Sequence, residues 1–234
     1  MTARSVVVCV AALVLAGFAR HATAADAPAD LAAARCGKWA VPARIGGKPV
    51  CLRDYGRCTG RLAAQYGRHG FVCAGGYLLT RWDYLRARPL AELRIAPGEP
   101  CPVTTETGRT NSHVGLGRGP AYPIGTHSVI AVRMPPPDGW GHEWTGTKRV
   151  WGLDTRYAAR ALVRGFQLDG PNELRFVRGP QWTAEKLLNP IREMQVEGDT
   201  PSLTRVREPG CYAYQVDGRT FNYLVIFEAV VSPS

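Results

Sequence analysis

Two strand-like runs meet at Asp217-Gly218, and their pairing limits the fold more than any other feature of the chain. Cys211-Tyr212-Ala213-Tyr214-Gln215-Val216 leads in, and Arg219-Thr220-Phe221-Asn222-Tyr223-Leu224-Val225-Ile226-Phe227 leads out. Asp-Gly between aromatic and β-branched runs signals a hairpin, because a primed two-residue turn needs positive φ at both central positions. The returning strand is apolar on both faces, with Tyr223, Val225 and Phe227 on one side and Leu224 and Ile226 on the other. Such a strand has to be covered on both sides or lie deep in a sheet.

The opposite end of the chain sets the expected compartment. Residues 1–24 carry Arg4, an apolar run over 6–18 and then Ala22-Thr23-Ala24, the pattern of a cleaved secretory signal. No later stretch approaches the roughly 20 apolar residues that span a bilayer, so no transmembrane segment is expected after cleavage. The expected location is outside the cytoplasm, periplasmic or extracellular. Cleavage removes Arg4 and Arg20 and no acid, so the formal charge falls from +10 to +8. It also removes Cys9 and leaves Cys36, Cys51, Cys58, Cys73, Cys101 and Cys211. An even set in an exported chain reads as disulfides. A zinc site would want C-x-x-C or His-rich spacing, which is lacking, so neither a metal nor a cofactor is predicted.

Past an Ala-rich lead at 25–35, the chain divides into a small cysteine-rich module, 36–95, and a β-rich domain, 96–234. The module holds four of the six cysteines. A piece of this size buries too little apolar surface to fold without staples. Cys58, Leu62 and Tyr66 recur every four residues, which predicts a short helix over 59–68 with Gly70 as its stop. A strand follows at 71–73. A Cys58–Cys73 bridge would staple that helix to that strand and leave Cys36 for Cys51, although four cysteines allow three connectivities and the sequence leaves the other two open.

In the second part, strand-like runs fall at 126–133, 149–153, 159–167, 173–177, 192–196 and 203–206, besides the hairpin. Turn signals separate them, including Asp169-Gly170-Pro171-Asn172 and Asp199-Thr200-Pro201. Seven or eight short strands without a long amphipathic helix predict an antiparallel sandwich. One helical turn is expected at 184–188, ended by Asn189-Pro190. Gly115-Leu116-Gly117-Arg118-Gly119-Pro120 reads as a connection, since Pro120 and the lack of a following helix exclude a phosphate loop.

Two resemblances add to this reading. Cys51-Leu52, Gly56, Cys58, Tyr66 and Gly70-Phe71-Val72-Cys73 resemble a cysteine module of exported bacterial proteins that has no assigned activity. Cys101-Pro102-Val103-Thr104, Arg164-Gly165-Phe166-Gln167-Leu168-Asp169-Gly170 and Gly210-Cys211-Tyr212 together resemble an uncharacterised family of bacterial exported proteins. In that family a Cys-Pro-Val-Thr opening and a Gly-Cys-aromatic close bracket an immunoglobulin-like β-domain. The resemblance covers more than half of the chain and implies a Cys101–Cys211 bridge; Tyr212 stands where Trp is common. It carries no catalytic residue across. The expected fold is therefore an immunoglobulin-like antiparallel β-sandwich preceded by a small disulfide-stapled α+β module.

Candidate chemistry is sparse. His69, His113, His127 and His142 lack metal-ligand spacing. His142 and Glu143 lie in the Gly-rich loop 139–146 and, with Asp154, form the one group that could be nominated for acid–base catalysis. Trp140, Trp144 and Tyr157 are the candidates for ligand stacking, whereas Trp151, between Val150 and Leu153, is expected in the core. Arginines recur at 57, 61, 68, 81, 86, 88, 156, 160 and 164 in a scattered pattern. A nucleic-acid role needs a continuous stripe and a known module, so no nucleic acid is expected as a partner. The reading that fits is an exported binding or structural protein, its partner an anionic or carbohydrate envelope polymer or another envelope protein. The competing reading is a hydrolase acting on an envelope or extracellular polymer. The placing of the Trp140 and Trp144 rings relative to His142 separates the two.

Overall fold

A computed structural model describes residues 36–110, 113–125 and 127–232. The expected signal (1–24) and Ala-rich lead (25–35) lie outside the described residues, as does Thr126 at the start of one expected strand.

The module begins with a hairpin that sequence reasoning passes over, β1 (Val41–Ile45) and β2 (Lys48–Leu52). They meet at Gly46-Gly47, where both φ angles are positive, as a primed turn requires. A 3₁₀ turn, Gly60–Leu62, then runs into α1 (Ala63–Arg68), followed by β3 (Phe71–Ala74), β4 (Tyr77–Thr80) and α2 (Trp82–Arg86). The helix ends where Gly70 predicts. Ile45, Leu52, Tyr66, Phe71 and Leu78 form a small core, with Cys58, Leu62 and Cys73 packed on it. Disulfides join Cys36 to Cys51 and Cys58 to Cys73. The Cys58–Cys73 pairing is therefore the connectivity adopted, but Cys58 precedes the 3₁₀ turn, so the bridge ties the segment leading into the helix, rather than the helix itself, to β3.

An irregular run over 87–106 leads into the larger part. There the strands are β5 (Thr107–Arg109), β6 (Val114–Leu116), β7 (Ala121–Ile124), β8 (Val129–Val132), β9 (Thr145–Leu153), β10 (Ala161–Gln167) and β11 (Arg175–Arg178). After one helical turn, α3 (Ala184–Leu188), come β12 (Met194–Val196), β13 (Thr200–Val206), β14 (Gly210–Gly218) and β15 (Asn222–Val231). Five strands form one sheet in the order β12-β10-β14-β15-β8, and six form the other in the order β11-β13-β9-β7-β6-β5. The fold is mainly β and sandwich-like, with Trp151, Tyr212, Tyr214, Val225 and Phe227 in the core between the sheets. Pairing is antiparallel except at one edge, where β8 runs parallel to β15.

Two sequence expectations are corrected. The stretch around 115–120 is more than a connection, because β5, β6 and β7 extend the second sheet there. Their glycines hid them: a Cβ on Gly108 or Gly115 would stand 1.8 or 2.3 Å from Tyr122, so these glycines seat a tyrosine ring laid across the strands. The hairpin exists, but its turn is not Asp217-Gly218. The ladder continues to Asp217 opposite Asn222, and Gly218 N–H donates to the Phe221 carbonyl at 3.0 Å. Arg219-Thr220 therefore make the turn, and no residue of it has positive φ.

The returning strand is covered on both faces, as its composition demands. Val225 and Phe227 face the core between the sheets. Leu224 and Ile226 lie on the outer face, with Phe166, Leu168 and Ala213, under Ala91, Ile95 and Cys101 of the irregular run. That run is a strap. Its backbone is held by Gln215, whose Oε1 accepts from Ala91 N–H at 2.7 Å and whose Nε2 donates to the Pro89 carbonyl at 2.9 Å. The Cys101–Cys211 disulfide, with Cα atoms 5.4 Å apart, pins it to β14, the bridge that the family resemblance implies.

Candidate functional site

The residues nominated for hydrolysis do not converge. His142 and Glu143 are exposed ahead of β9 and Asp154 follows its far end, roughly 30 Å away at the rise of an extended strand. Glu143 pairs with Arg207 at 3.0 Å. Asp154 accepts from Arg156 Nη2 at 2.7 Å and Nε at 3.1 Å, bonds that hold its carboxyl below the ordinary range. The loop carrying His142 wraps Arg205, a fully buried residue of β13. Arg205 Nη2 donates to the carbonyls of Trp140 and Trp144 at 2.6 and 2.7 Å, and the Trp140 ring lies 4.6 Å from its guanidinium. Burial brings the Arg205 pKa down to about 10. Trp144 is buried, with Arg207 and Arg175 over its ring at 4.6 and 5.8 Å. Both tryptophans thus serve arginines of the sandwich, and neither ring is paired with His142. Tyr157 is buried as well, its hydroxyl donating to the Arg160 carbonyl at 2.7 Å.

The seam where the module meets the sandwich brings far more together. Trp39 packs edge-on against Tyr157 and Phe221, with centroids at 5.3 and 5.8 Å. Arg219, at the hairpin turn, inserts between the rings of Phe71 and Tyr84 at 5.0 and 3.8 Å. Asp217 is fully buried and accepts from Arg164 Nη2 at 2.7 Å, with Arg88 at 3.8 Å. Arg160 donates to the Thr80 carbonyl at 3.3 Å.

At one end of this seam a cleft of about 680 Å³ opens between residues 37–40 and 51–55 of the module and residues 156–159 of the sandwich, a size that suits a small ligand or one unit of a polymer. One wall is the loop closed by the Cys36–Cys51 bridge, which carries Lys38 and Trp39. The facing wall carries Arg156, aimed by Asp154. Arg53 and Tyr55 stand exposed at the rim. Lys38 Nζ sits 4.6 Å over the Trp39 ring and adds to the positive field on Asp154. Lys38 and Arg53 form no salt bridge among the described residues. Of the stacking candidates named from sequence only Tyr157 reaches the cleft, as part of its wall; Lys38, Trp39, Arg53 and Tyr55 were missed because none belongs to a motif.

Asp54 lines the same cleft. It is 5 % exposed and accepts from Thr80 N–H and Oγ1, each at 2.5 Å. Loss of solvent raises its carboxyl above the ordinary 3.8, against the pull of the Thr80 bonds and of Arg160 and Arg219. The folded protein therefore binds this proton more tightly than the unfolded chain does. The resulting stability is fully present below the unfolded value and is lost as pH rises through the raised folded one. Urea unfolding of the native protein and Asp54→Asn should show the native protein's relative stability falling from about pH 4 upward and then levelling off; a difference that grows with pH would contradict this placing of the proton.

No protein-family model, curated protein or solved structure matches the chain. Three disulfides suit an exported chain, and no helix among the described residues is long and apolar enough to cross a membrane.

Proposed function

We propose that this is an exported binding protein of the bacterial envelope or extracellular space, and that its cysteine module captures an anionic polymer. The observation that carries the reading is where the charge lies. Residues 36–95 hold eleven Lys and Arg against three Asp and Glu, while residues 96–234 hold fifteen against fourteen. The arginines themselves run through both parts, but those of the sandwich are matched by acids, so nearly all of the surplus belongs to the module. Lys38, Arg44, Lys48, Arg53, Arg57, Arg61 and Arg68 are exposed there and form no salt bridge among the described residues. The sandwich is close to neutral and supplies the rigid base.

A concentration of like charge on a small rigid body raises the local concentration of polyanions and their rate of encounter. Its cost in repulsion is offset by the two short-loop disulfides. A wider and more open groove of about 930 Å³, between the module and Arg160 of the sandwich, also gathers Arg68, Arg81 and Arg86, but Arg81, Arg86 and Arg160 pair with Asp83, Glu193 and Glu197, which leaves the seam cleft as the better receptor. Likeness to exported bacterial proteins in the Cys-Pro-Val-Thr and Gly-Cys-aromatic brackets supports the envelope or extracellular setting.

The test is titration of the full exported chain with a polyanion such as polygalacturonate over a series of salt concentrations. Affinity should fall steadily with salt. Arg44→Gln/Lys48→Gln/Arg61→Gln, three exposed positions clear of the cleft, should weaken binding and flatten the salt dependence by about one power for each cation that touches the polymer. Binding that ignores salt, or no binding to any polyanion, would remove the basis of the reading.

A further inference from the structure

Tyr55 stands out because a strained backbone and an exposed aromatic ring coincide in it. Its φ is 59°, the one positive φ outside glycine among the described residues, a conformation that costs a side-chain-bearing residue energy and is cheap for glycine. Strain of that sort persists where the surroundings or the function hold it. Burial does not explain it, since Tyr55 is 46 % exposed. Its N–H donates to the Leu78 carbonyl at 2.7 Å, a bond that glycine would keep. The left-handed backbone holds the ring in the lining of the seam cleft, which Lys38, Arg53 and Arg156 share.

We infer that Tyr55 is the reading residue of this cleft, and that its ligand is an acidic saccharide whose sugar ring stacks on the Tyr55 face while its carboxylate or sulfate meets Lys38, Arg53 and Arg156. The inference rests on the binding role proposed above. An aromatic face presented to solvent suits the apolar C–H face of a pyranose, and exposed cations suit its acidic substituent. A single free ring distinguishes this ligand from a nucleic acid strand, which is held by a succession of stacking side chains along a groove. The Trp39 ring is already engaged, packed edge-on against Tyr157 and Phe221 with Lys38 over its face.

The position gives a test in which stability and binding move apart. Oligogalacturonate, neutral maltooligosaccharide and single-stranded DNA are titrated calorimetrically into the native chain, Tyr55→Phe and Tyr55→Gly, and the melting temperature of each protein is recorded. Tyr55→Gly is expected to melt at the same or a higher temperature, since it releases the strained φ, yet to bind oligogalacturonate about tenfold more weakly. Tyr55→Phe should bind like the native chain, and maltooligosaccharide should bind poorly. Unchanged affinity in Tyr55→Gly, with salt-dependent binding intact, would overturn the role of Tyr55 and leave the polyanion reading standing. A lower melting temperature in Tyr55→Gly would make the residue structural and equally overturn it. Tighter binding of DNA than of oligogalacturonate would overturn the saccharide assignment, and no binding of either would overturn the polyanion reading with it.

Discussion

Replacing Cys101 and Cys211 together by alanine is expected to lower the unfolding free energy by about 4 kcal/mol, and the melting temperature by roughly 10–15 °C. The bridge joins residues 110 apart in sequence, and closing a loop that long removes much of the unfolded chain's freedom. It also fastens the strap over the outer face of the five-stranded sheet. Without it the strap keeps the two bonds to Gln215, the Thr104 bonds to Ile226 and the cover it gives Leu224 and Phe166. Urea unfolding of the double variant beside a Cys36→Ala/Cys51→Ala variant measures the contrast. The second bridge spans 15 residues, so its removal should cost less, about 3 kcal/mol. A larger loss from the short bridge would mean that the module, rather than the strap, limits the stability of the molecule.

Asp217→Ala should be nearly as damaging, at about 3–5 kcal/mol. The carboxylate is fully buried and gathers Arg164, Arg88, the Gln215 amide and the Asn222 amide around it. Arg88 Nη2 also donates to the Arg219 carbonyl, and Arg164 to the Arg88 carbonyl. Removing the acid leaves two largely buried guanidinium groups facing each other with no counter-charge. Asp217→Asn keeps the shape and an acceptor, so it should fall between the two. The strap should also become a protease target near residues 87–91, because Asp217 and Gln215 anchor it from the same face of β14. A loss under about 1 kcal/mol in Asp217→Ala would show that water can replace the carboxylate there.

Asp217 also shows what the sequence could and could not convey. Asp-Gly is chemistry for a turn, and a turn two residues later looks no different on paper. What shifts it is tertiary: the Asp217 carboxylate has partners on β10 and the strap, Phe221 packs over Gly218, and Arg219 enters the module. Where burial alone decides, the pattern was legible. Tyr223-Leu224-Val225-Ile226-Phe227 announced a strand covered twice, Trp151 announced a core position, and Cys58, Leu62 and Tyr66 announced three inward-facing positions, although Cys58 falls ahead of the short helix rather than on it. The strands β5 and β6 were illegible because their glycines answer to Tyr122, a ring on the neighbouring β7 that lies across them. The cleft was illegible for a related reason. Its walls come from residues more than 100 apart, and the one local irregularity, a left-handed tyrosine, cannot be read from the letters Asp-Tyr-Gly.

The three disulfides have a consequence for how the chain acquires them. Among the six cysteines from Cys36 onward, each is joined to the next along the sequence: the first to the second, the third to the fourth, the fifth to the sixth. A chain oxidised from its N-terminus as it emerges meets its correct partner before any later thiol arrives. The final map can then be written in a single pass by an enzyme that only joins sulfurs, with no need of one that reshuffles them.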